Sequence, residues 1–252
     1  TPETIYIDQK PYKIALSNMT MTHPDYQGKG YFKLLAKAMY EELKKDNFIG
    51  VYGFANSNSH YGFRKYLNWK DLSILNIFKL EHKDFRNFLI KKSEKITISI
   101  VENIDFTTCE LNNRFKKKNH VSIDIEDVNW RLRDKPNNTY QILEAKENSV
   151  SMKIVFKMYK NEIDILEIFD NCINSSQYEL FLTNSINYLI KTFGATINLW
   201  SNLQDSEHLF LEKIGFKESA FNTYFGIIPF KNIESINTIT NWYYRFYDSD
   251  IF

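Results

Sequence analysis

The stretch Met21-Thr22-His23-Pro24-Asp25-Tyr26-Gln27-Gly28-Lys29-Gly30-Tyr31-Phe32 decides the fold. Before it, Tyr12–Thr22 reads as a β-strand that follows a turn at Asp8–Pro11. After it, Phe32, Leu35, Ala36, Met39 and Leu43 recur at spacings of three and four, which predicts a helix with these residues on one face. Lys44 and Lys45 suit the negative end of that helix. The stretch between is a loop holding two of the chain's eight glycines. A strand, a glycine loop and a helix N-terminus together make an anion site. The unpaired N–H groups of the first helical turn and the positive end of the macrodipole meet at one place. Gly28 and Gly30 let a ligand approach the backbone without a Cβ in the way, and Lys29 adds charge. A tight turn entering a helix would have the same sequence.

Outward from the loop, the order is α/β. Thr4–Ile7 reads as a strand before a turn at Asp8–Pro11. Ile49–Phe54 follows the helix as a short apolar strand. Ser57–Ser59 offers caps for a short helix through Tyr66, and Leu72–Leu80 is a strand. The charged segment Glu81–Lys95 reads as a surface helix or linker. Trp130-Arg131-Leu132-Arg133 then opens a second run. Tyr140–Ala145, Val150–Tyr159 and Ile163–Phe169 are predicted strands, Leu180–Phe193 a helix closed by Gly194, and Ala195–Trp200 a strand. Asp205 and Ser206 cap a helix through Ile214, and Phe221–Ile228 is a last strand. Arg64-Lys65-Tyr66-Leu67-Asn68-Trp69 and Leu211-Glu212-Lys213-Ile214-Gly215-Phe216 close their helices alike, which suggests a diverged internal repeat.

These residues carry a resemblance to the GNAT superfamily of acyl-CoA N-acetyltransferases. Met21 through Gly30 resembles its pyrophosphate motif, Gln/Arg-x-x-Gly-x-Gly/Ala, with Gln27 and Gly30 at the first and fourth positions. Phe32 departs from the usual Gly or Ala. Ala55 through Trp69 resembles the second motif, with Asn68-Trp69 in place of Gly-Phe and Arg64 where the family commonly has Tyr. The match is strongest over Ser17–Trp69, and Leu211–Phe216 adds a second echo. The resemblance implies two tandem GNAT-like domains, each a mixed, mostly antiparallel sheet flanked by helices, with a splayed central pair of parallel strands. Ile14–Thr22 and Ile49–Phe54 would be the first such pair. Residues 1–95 would form the acyl-CoA domain. The chain opens at Thr1 without Met, so further structure is expected before it. Residues 96–252 would form a degenerate copy that lines the acceptor pocket, because Asp170–Ser175 has no glycine.

The implied activity is transfer of an acyl group from acetyl-CoA, or another short acyl-CoA, to a primary amine of a small molecule. An amino sugar is the preferred acceptor, and the amine attacks the thioester directly. The cofactor-binding candidates are Met21, Thr22, Gln27, Gly28, Lys29, Gly30, Tyr31, Phe32 and Asn58. Backbone groups near Met21 and Thr22 would pair with the pantetheine arm and stabilise the tetrahedral intermediate. His23, Tyr61 and Asp250 are the catalytic candidates. His23 equally shapes a His-Pro turn, and Tyr61 equally belongs to a core. Glu167 and Asp170 end a central strand, where a solvated end is the expectation. The tail Trp242–Phe252 is either a frayed, charged terminus or a contributor of carboxylates to the acceptor cleft. Two other readings stay open: a non-catalytic acyl-CoA sensor or scaffold, and an acetyltransferase for peptide or protein amines.

Composition narrows the classes. Of 252 residues, 43% are hydrophobic and 25% charged, which fits a folded chain. Lys+Arg is 32 against Asp+Glu 31, a net charge of +1, which argues against nucleic acid as a partner and makes Lys116-Lys117-Lys118 a wet loop. Two cysteines, Cys109 and Cys172, provide neither a disulfide framework nor a metal site, and fit a cytoplasmic location. No run is long and apolar enough to span a membrane.

Overall fold

The computed structural model describes residues 1–86, 93, 95–101, 119–123, 125–134, 136, 139–202 and 206–249. The candidates Cys109, Lys116–Lys118, Asp205 and Asp250 lie outside these residues. The described strands are β1 (Pro2–Ile7), β2 (Lys10–Leu16), β3 (Gly50–Ala55), β4 (Lys70–Leu80), β5 (Thr97–Val101), β6 (His120–Val121), β7 (Tyr140–Glu147), β8 (Val150–Tyr159), β9 (Glu162–Asp170), β10 (Thr196–Leu199) and β11 (Lys217–Pro229). The helices are α1 (Tyr31–Lys45), α2 (Ser57–Leu67), the short α3 (Ile125–Asn129), α4 (Ser175–Phe193) and α5 (Ser206–Ile214).

All these strands join one mixed sheet in the order β5-β7-β8-β9-β10-β4-β11-β3-β2-β1-β6. Most neighbours are antiparallel. β2 and β3 run parallel, with Ala15 opposite Val51 and Leu16 opposite Tyr52. β9 and β10 also run parallel, with Thr196 opposite Glu162 and Asn198 opposite Asp164. So each half of the chain contributes an antiparallel pair or meander, a helix and a parallel strand, followed by a second helix and a last strand. The last strands are exchanged. β4 from the first half pairs with β10, where Ile197 faces Leu80. β11 from the second half lies between β3 and β4, with Phe225 opposite Phe54. The halves are therefore one hydrogen-bonded sheet.

The period-2 alternation of the strands sorts side chains to two faces. On one face of the first half, Ala15, Val51 and Ala55 pack under α1 and α2 with Tyr40, Phe63, Leu67 and Trp69. On the matching face of the second half, Ile163, Ile165 and Ile197 pack under α4 and α5 with Phe181, Leu182, Ile186 and Leu189. The opposite face has one core common to both halves, with Ile14, Leu16, Tyr52, Phe54, Phe169 and Trp200. Trp242, Tyr244, Phe246 and Tyr247 of the C-terminal tail belong to that core. The tail is thus packed through Ser249, which is 2% exposed, and the frayed-terminus reading fails for its described part.

Several expectations need correcting. β2 ends at Leu16, six residues short of Thr22, because its parallel partner diverges after Tyr52. The core-facing stripe of α1 is buried Tyr40 with partly buried Phe32, Ala36 and Leu43. Leu35 and Met39, one position away on the helical wheel, are exposed at 67% and 58%. α4 starts at Ser175, five residues before Leu180, because Asn174 caps it. Glu167 and Asp170 are buried, at 0% and 7% exposure, and do not form a solvated strand end. The proposed helix-closing repeat does appear. Asn68 and Gly215 both have positive φ, 59° and 117°, and the rings that follow, Trp69 and Phe216, are both buried.

Candidate active site

β2 and β3 stay joined as far as the Ser17 N–H, which donates to the Tyr52 carbonyl at 2.8 Å. Beyond that point they part. Gly53 stands at the parting, where a Cβ would lie 3.0 Å from the Ser17 carbonyl oxygen and 3.2 Å from the Trp69 ring. A side chain there would force the strands apart or displace Trp69. Residues Ser17–Thr22 leave the sheet, and Met19 and Met21 are 86% and 88% exposed.

The loop that follows is held by its own side chains. His23 Nδ1 accepts the Asp25 N–H at 3.4 Å and caps a 3-10 turn over Pro24–Tyr26. Gln27 Nε2 donates to the Thr22 carbonyl at 3.1 Å. Lys29 Nζ donates to the Asp25 carbonyl at 2.7 Å and sits 4.9 Å from the centre of the Tyr26 ring. Gly28 and Gly30 have φ of 71° and 79°, and a Cβ on either would meet nothing within 4 Å. Gly30 caps α1 with backbone alone. The first helical bond runs from the Leu34 N–H to the Gly30 carbonyl, so the amides of Tyr31, Phe32 and Lys33 have no acceptor within the helix. Open space, a positive helix end and bare amides fit a diphosphate.

Phe32 does not face that space. Its ring turns inward, 5.4 Å from the Phe63 ring, and a Cβ on Gly62 would be 3.3 Å from it. Its departure from the small residue of the motif therefore seats α1 against α2. Asn58 is exposed in the first turn of α2, where the Asn56 side chain accepts its N–H at 3.0 Å. Tyr61 is 58% exposed on the outer side of α2, and its hydroxyl accepts from Lys65 Nζ. His23 is exposed in the loop. The structure thus brings the residues from Met21 to Phe32 together in one loop and helix start, with Tyr61 apart from them on α2.

Sequence reasoning missed the ionisable groups on the other face of the sheet. The Tyr52 hydroxyl donates to Glu3 of β1, and Asp248 and Arg131 face the same place. Burial first, then the Glu3 carboxylate, pushes the Tyr52 hydroxyl well above its ordinary pKa. Burial, with Glu167 second, likewise pushes the Asp248 carboxyl well up. The signal for Glu3 and Tyr52 was strand alternation, which puts them on one face with Ile5 and Phe54.

At the second parallel pair the tail fills the parting. Arg245 Nη1 donates to the Trp200 carbonyl at 2.5 Å, and its Nη2 pairs with Glu207. Arg245 Nε donates to the Tyr243 hydroxyl at 2.9 Å, and that hydroxyl donates to Glu167 at 2.9 Å. The helix start is also occupied by local side chains. Asp170, Gln177 and Asn174 accept the N–H groups of Cys172, Ile173 and Gln177 at 3.0, 3.0 and 2.9 Å. Burial raises the Cys172 thiol to about 12, so it stays a neutral thiol. Among the described residues, no three His, Cys, Asp or Glu side chains are grouped to hold a metal ion, and no helix is long and apolar enough to cross a membrane.

No family model matches the sequence, and no curated protein matches it. Solved structures do. A conserved protein of Enterococcus faecalis V583, described as a probable N-acyltransferase, aligns over 91% of this chain and 57% of its own, at 14% identity and a TM-score of 0.69. A tandem GNAT protein from the clavulanic acid biosynthesis pathway aligns over 89% of this chain and 80% of its own, at 8% identity and a TM-score of 0.55. A glucosamine N-acetyltransferase region of a fungal multi-domain enzyme aligns over 90% of this chain and 31% of its own, at 13% identity and a TM-score of 0.54. The chain has the fold of the GCN5-related N-acetyltransferases, and it spans a little over half the length of the Enterococcus protein.

Proposed function

We propose that this chain is a GNAT-type N-acyltransferase that moves the acyl group of acetyl-CoA, or another short acyl-CoA, to a primary amine of a small molecule. The observation that carries the reading is the bare N-terminus of α1, set behind two open glycines beside the parting of β2 and β3. The amides of Tyr31, Phe32 and Lys33 would take the diphosphate, with Gln27, Gly28, Lys29 and Gly30 shaping its bed and Asn58 at its margin. Met21 and Thr22 would run beside the pantetheine arm. Exposed His23 in the loop and Tyr61 on α2 are the candidates for proton transfer that the family resemblance supplies, and Asp250 is its candidate carboxylate for the acceptor. The chemistry is attack of the amine nitrogen on the thioester carbon, so the fold's main task is to hold the two in line.

The second half would supply acceptor contacts rather than a second cofactor site, since the loop before its helix has no glycine and side chains there take the amides of Cys172, Ile173 and Gln177. An amino sugar is the preferred acceptor. The glucosamine N-acetyltransferase region among the structural neighbours supports that preference. Release of CoA thiol is the test, with acetyl-CoA and a panel of glucosamine, galactosamine, a peptide with a free N-terminus and spermidine. Turnover with amino sugars is expected. Tight CoA binding without thiol release on any acceptor would favour the sensor reading, and turnover on the peptide alone would favour a protein substrate.

A further inference from the structure

Large apolar side chains crowd the outside of one helix. Of the sixteen that stand exposed among the described residues, seven lie between Met19 and Met39. Met19, Met21 and Tyr26 belong to the donor loop. Tyr31, Leu34, Leu35 and Met39 stand on the outer side of α1, away from its core-facing stripe. At 100° per residue, Lys33 and Lys37 form the row next to Leu34. Both lysines are exposed, and among the described residues neither pairs with a carboxylate. From Tyr26 through Tyr40 the chain has three lysines and no Asp or Glu. The last turn of α1 differs, because Lys44 pairs with Glu41 at 2.7 Å and Lys45 with Glu42 at 2.6 Å. The first turns of α1 are thus apolar and cationic, and the last is neutralised. An exposed apolar patch beside uncompensated charge fits a partner of opposite sign.

We propose that this side of α1 docks a small acidic carrier protein that presents the acyl group on its own phosphopantetheine arm. The inference rests on the acyltransferase reading. Tyr31 carries both the first bare amide of the diphosphate bed and the first ring of the patch, so a body seated there stands at the door of the donor cleft. A carrier holds the same arm as CoA through one phosphate on a serine, and its body takes the place of the CoA nucleotide. The patch runs from Tyr31 to Met39, about 12 Å along the helix axis, which suits one helix of a small partner. Two other occupants fit less well. A second copy of this chain would bring both pairs of lysines to one two-fold interface, where like charges repel. A helix lying on an anionic membrane needs an apolar face along its length, and here Glu41 and Glu42 stand exposed just beyond Met39. In the step, the amine nitrogen bonds to the thioester carbon and the C–S bond breaks, its electron pair leaving on the sulfur of the carrier's arm. The proton lost by nitrogen ends on that thiolate, so nothing else is consumed.

The test titrates the full chain with an acidic acyl carrier protein, acetylated or lacking its arm, and separately with CoA. The acetylated carrier should bind, and about 10-fold more weakly at high salt. Without its arm it should bind about 10-fold more weakly, because one of two linked contacts is gone. Lys37→Glu and Leu35→Gln alter the outer side of α1 and leave the diphosphate bed intact. Each should weaken the acetylated carrier about 10-fold, with CoA affinity held within about twofold and the melting temperature unchanged. In thiol release, both should raise KM for the acetylated carrier and not for acetyl-CoA. No carrier binding beside normal CoA binding, or carrier binding unmoved by both substitutions, overturns this proposal and leaves the acyltransferase reading standing. Binding of neither donor overturns both. Without carrier binding, adsorption to vesicles of equal phosphatidylglycerol and phosphatidylcholine that Leu35→Gln abolishes gives the patch to a membrane, and a dimer that Leu35→Gln dissolves gives it to a second copy. Either result also overturns the proposal. Should Leu35→Gln not fold, Lys37→Glu decides alone.

Discussion

At the N-terminus of α1 the first amides face open space behind Gly28 and Gly30; at the N-terminus of α4 the amides of the preceding loop and first turn are taken by Asp170, Asn174 and Gln177. Beside α1 the parallel strands part around a glycine, and beside α4 the parting is filled by Arg245 and Tyr243 from the tail. Both helices follow a strand of a parallel pair in the same sheet. A helix end is an anion site when the loop before it leaves its donors unspent, and Asp, Asn and Gln in that loop spend them. The two copies share a backbone plan, and in the second the side chains of the loop take up amides before and within the first helical turn.

The contrast can be broken from either side. The largest effect is expected at Arg245, which is 3% exposed and bonded to Trp200, Tyr243 and Glu207. Arg245→Ala leaves Glu207 with a charge and no guanidinium, and should cost about 3–5 kcal/mol in chemical denaturation. A loss under about 1 kcal/mol would mean that the tail is not a fixed part of the core. Gly30→Val comes next. It puts a β-branched residue at φ 79°, should cost about 1–2 kcal/mol of stability, and should remove the melting-temperature rise given by millimolar CoA. Asn174→Ala, the matching change at α4, should cost about 1 kcal/mol and leave CoA binding as it was. If it instead opened a second CoA site, capping would be all that separates the halves.

The smallest effect belongs to Asp248→Asn. Asp248 accepts the Arg245 N–H at 2.7 Å, and asparagine keeps that acceptor. Burial raises the carboxyl well above its unfolded value, so the native state holds the proton longer. Stability from such a group is full below the unfolded pKa and is lost as pH rises toward the folded one. Wild type and variant should match near pH 4, and the variant should gain steadily up to pH 8. A difference that shrinks with rising pH would place the carboxyl among cations instead.

What the sequence made legible follows the range of the forces. The Gly loop, α1, α2 and the strands β7 to β9 rest on local chemistry, and their outlines could be read from glycine placement, caps and alternation. β2 was read too long because no Gly or Pro interrupts Ser17–Thr22 before the His23-Pro24 loop, whereas a strand persists only while it has a partner to bond, and β3 parts from it after Tyr52. The exchange of β4 and β11 joins residues about 150 positions apart, such as Gly226 and Asp71, which no local pattern encodes. The tail was opaque for a related reason: Trp242, Tyr244 and Phe246 follow no helical period and are buried by what they meet, not by how they are spaced. Glu3 and Tyr52 were hidden because each looks ordinary in its own strand, and their meeting depends on the order of β1, β2 and β3.

The most direct test is calorimetric titration of the full chain with CoA, run beside Gly30→Val. Here the expected outcome is one equivalent bound per chain, with saturable heat that disappears in the variant. Two equivalents, no heat at all, or binding indifferent to the substitution at Gly30 would contradict the placement of the diphosphate at the start of α1.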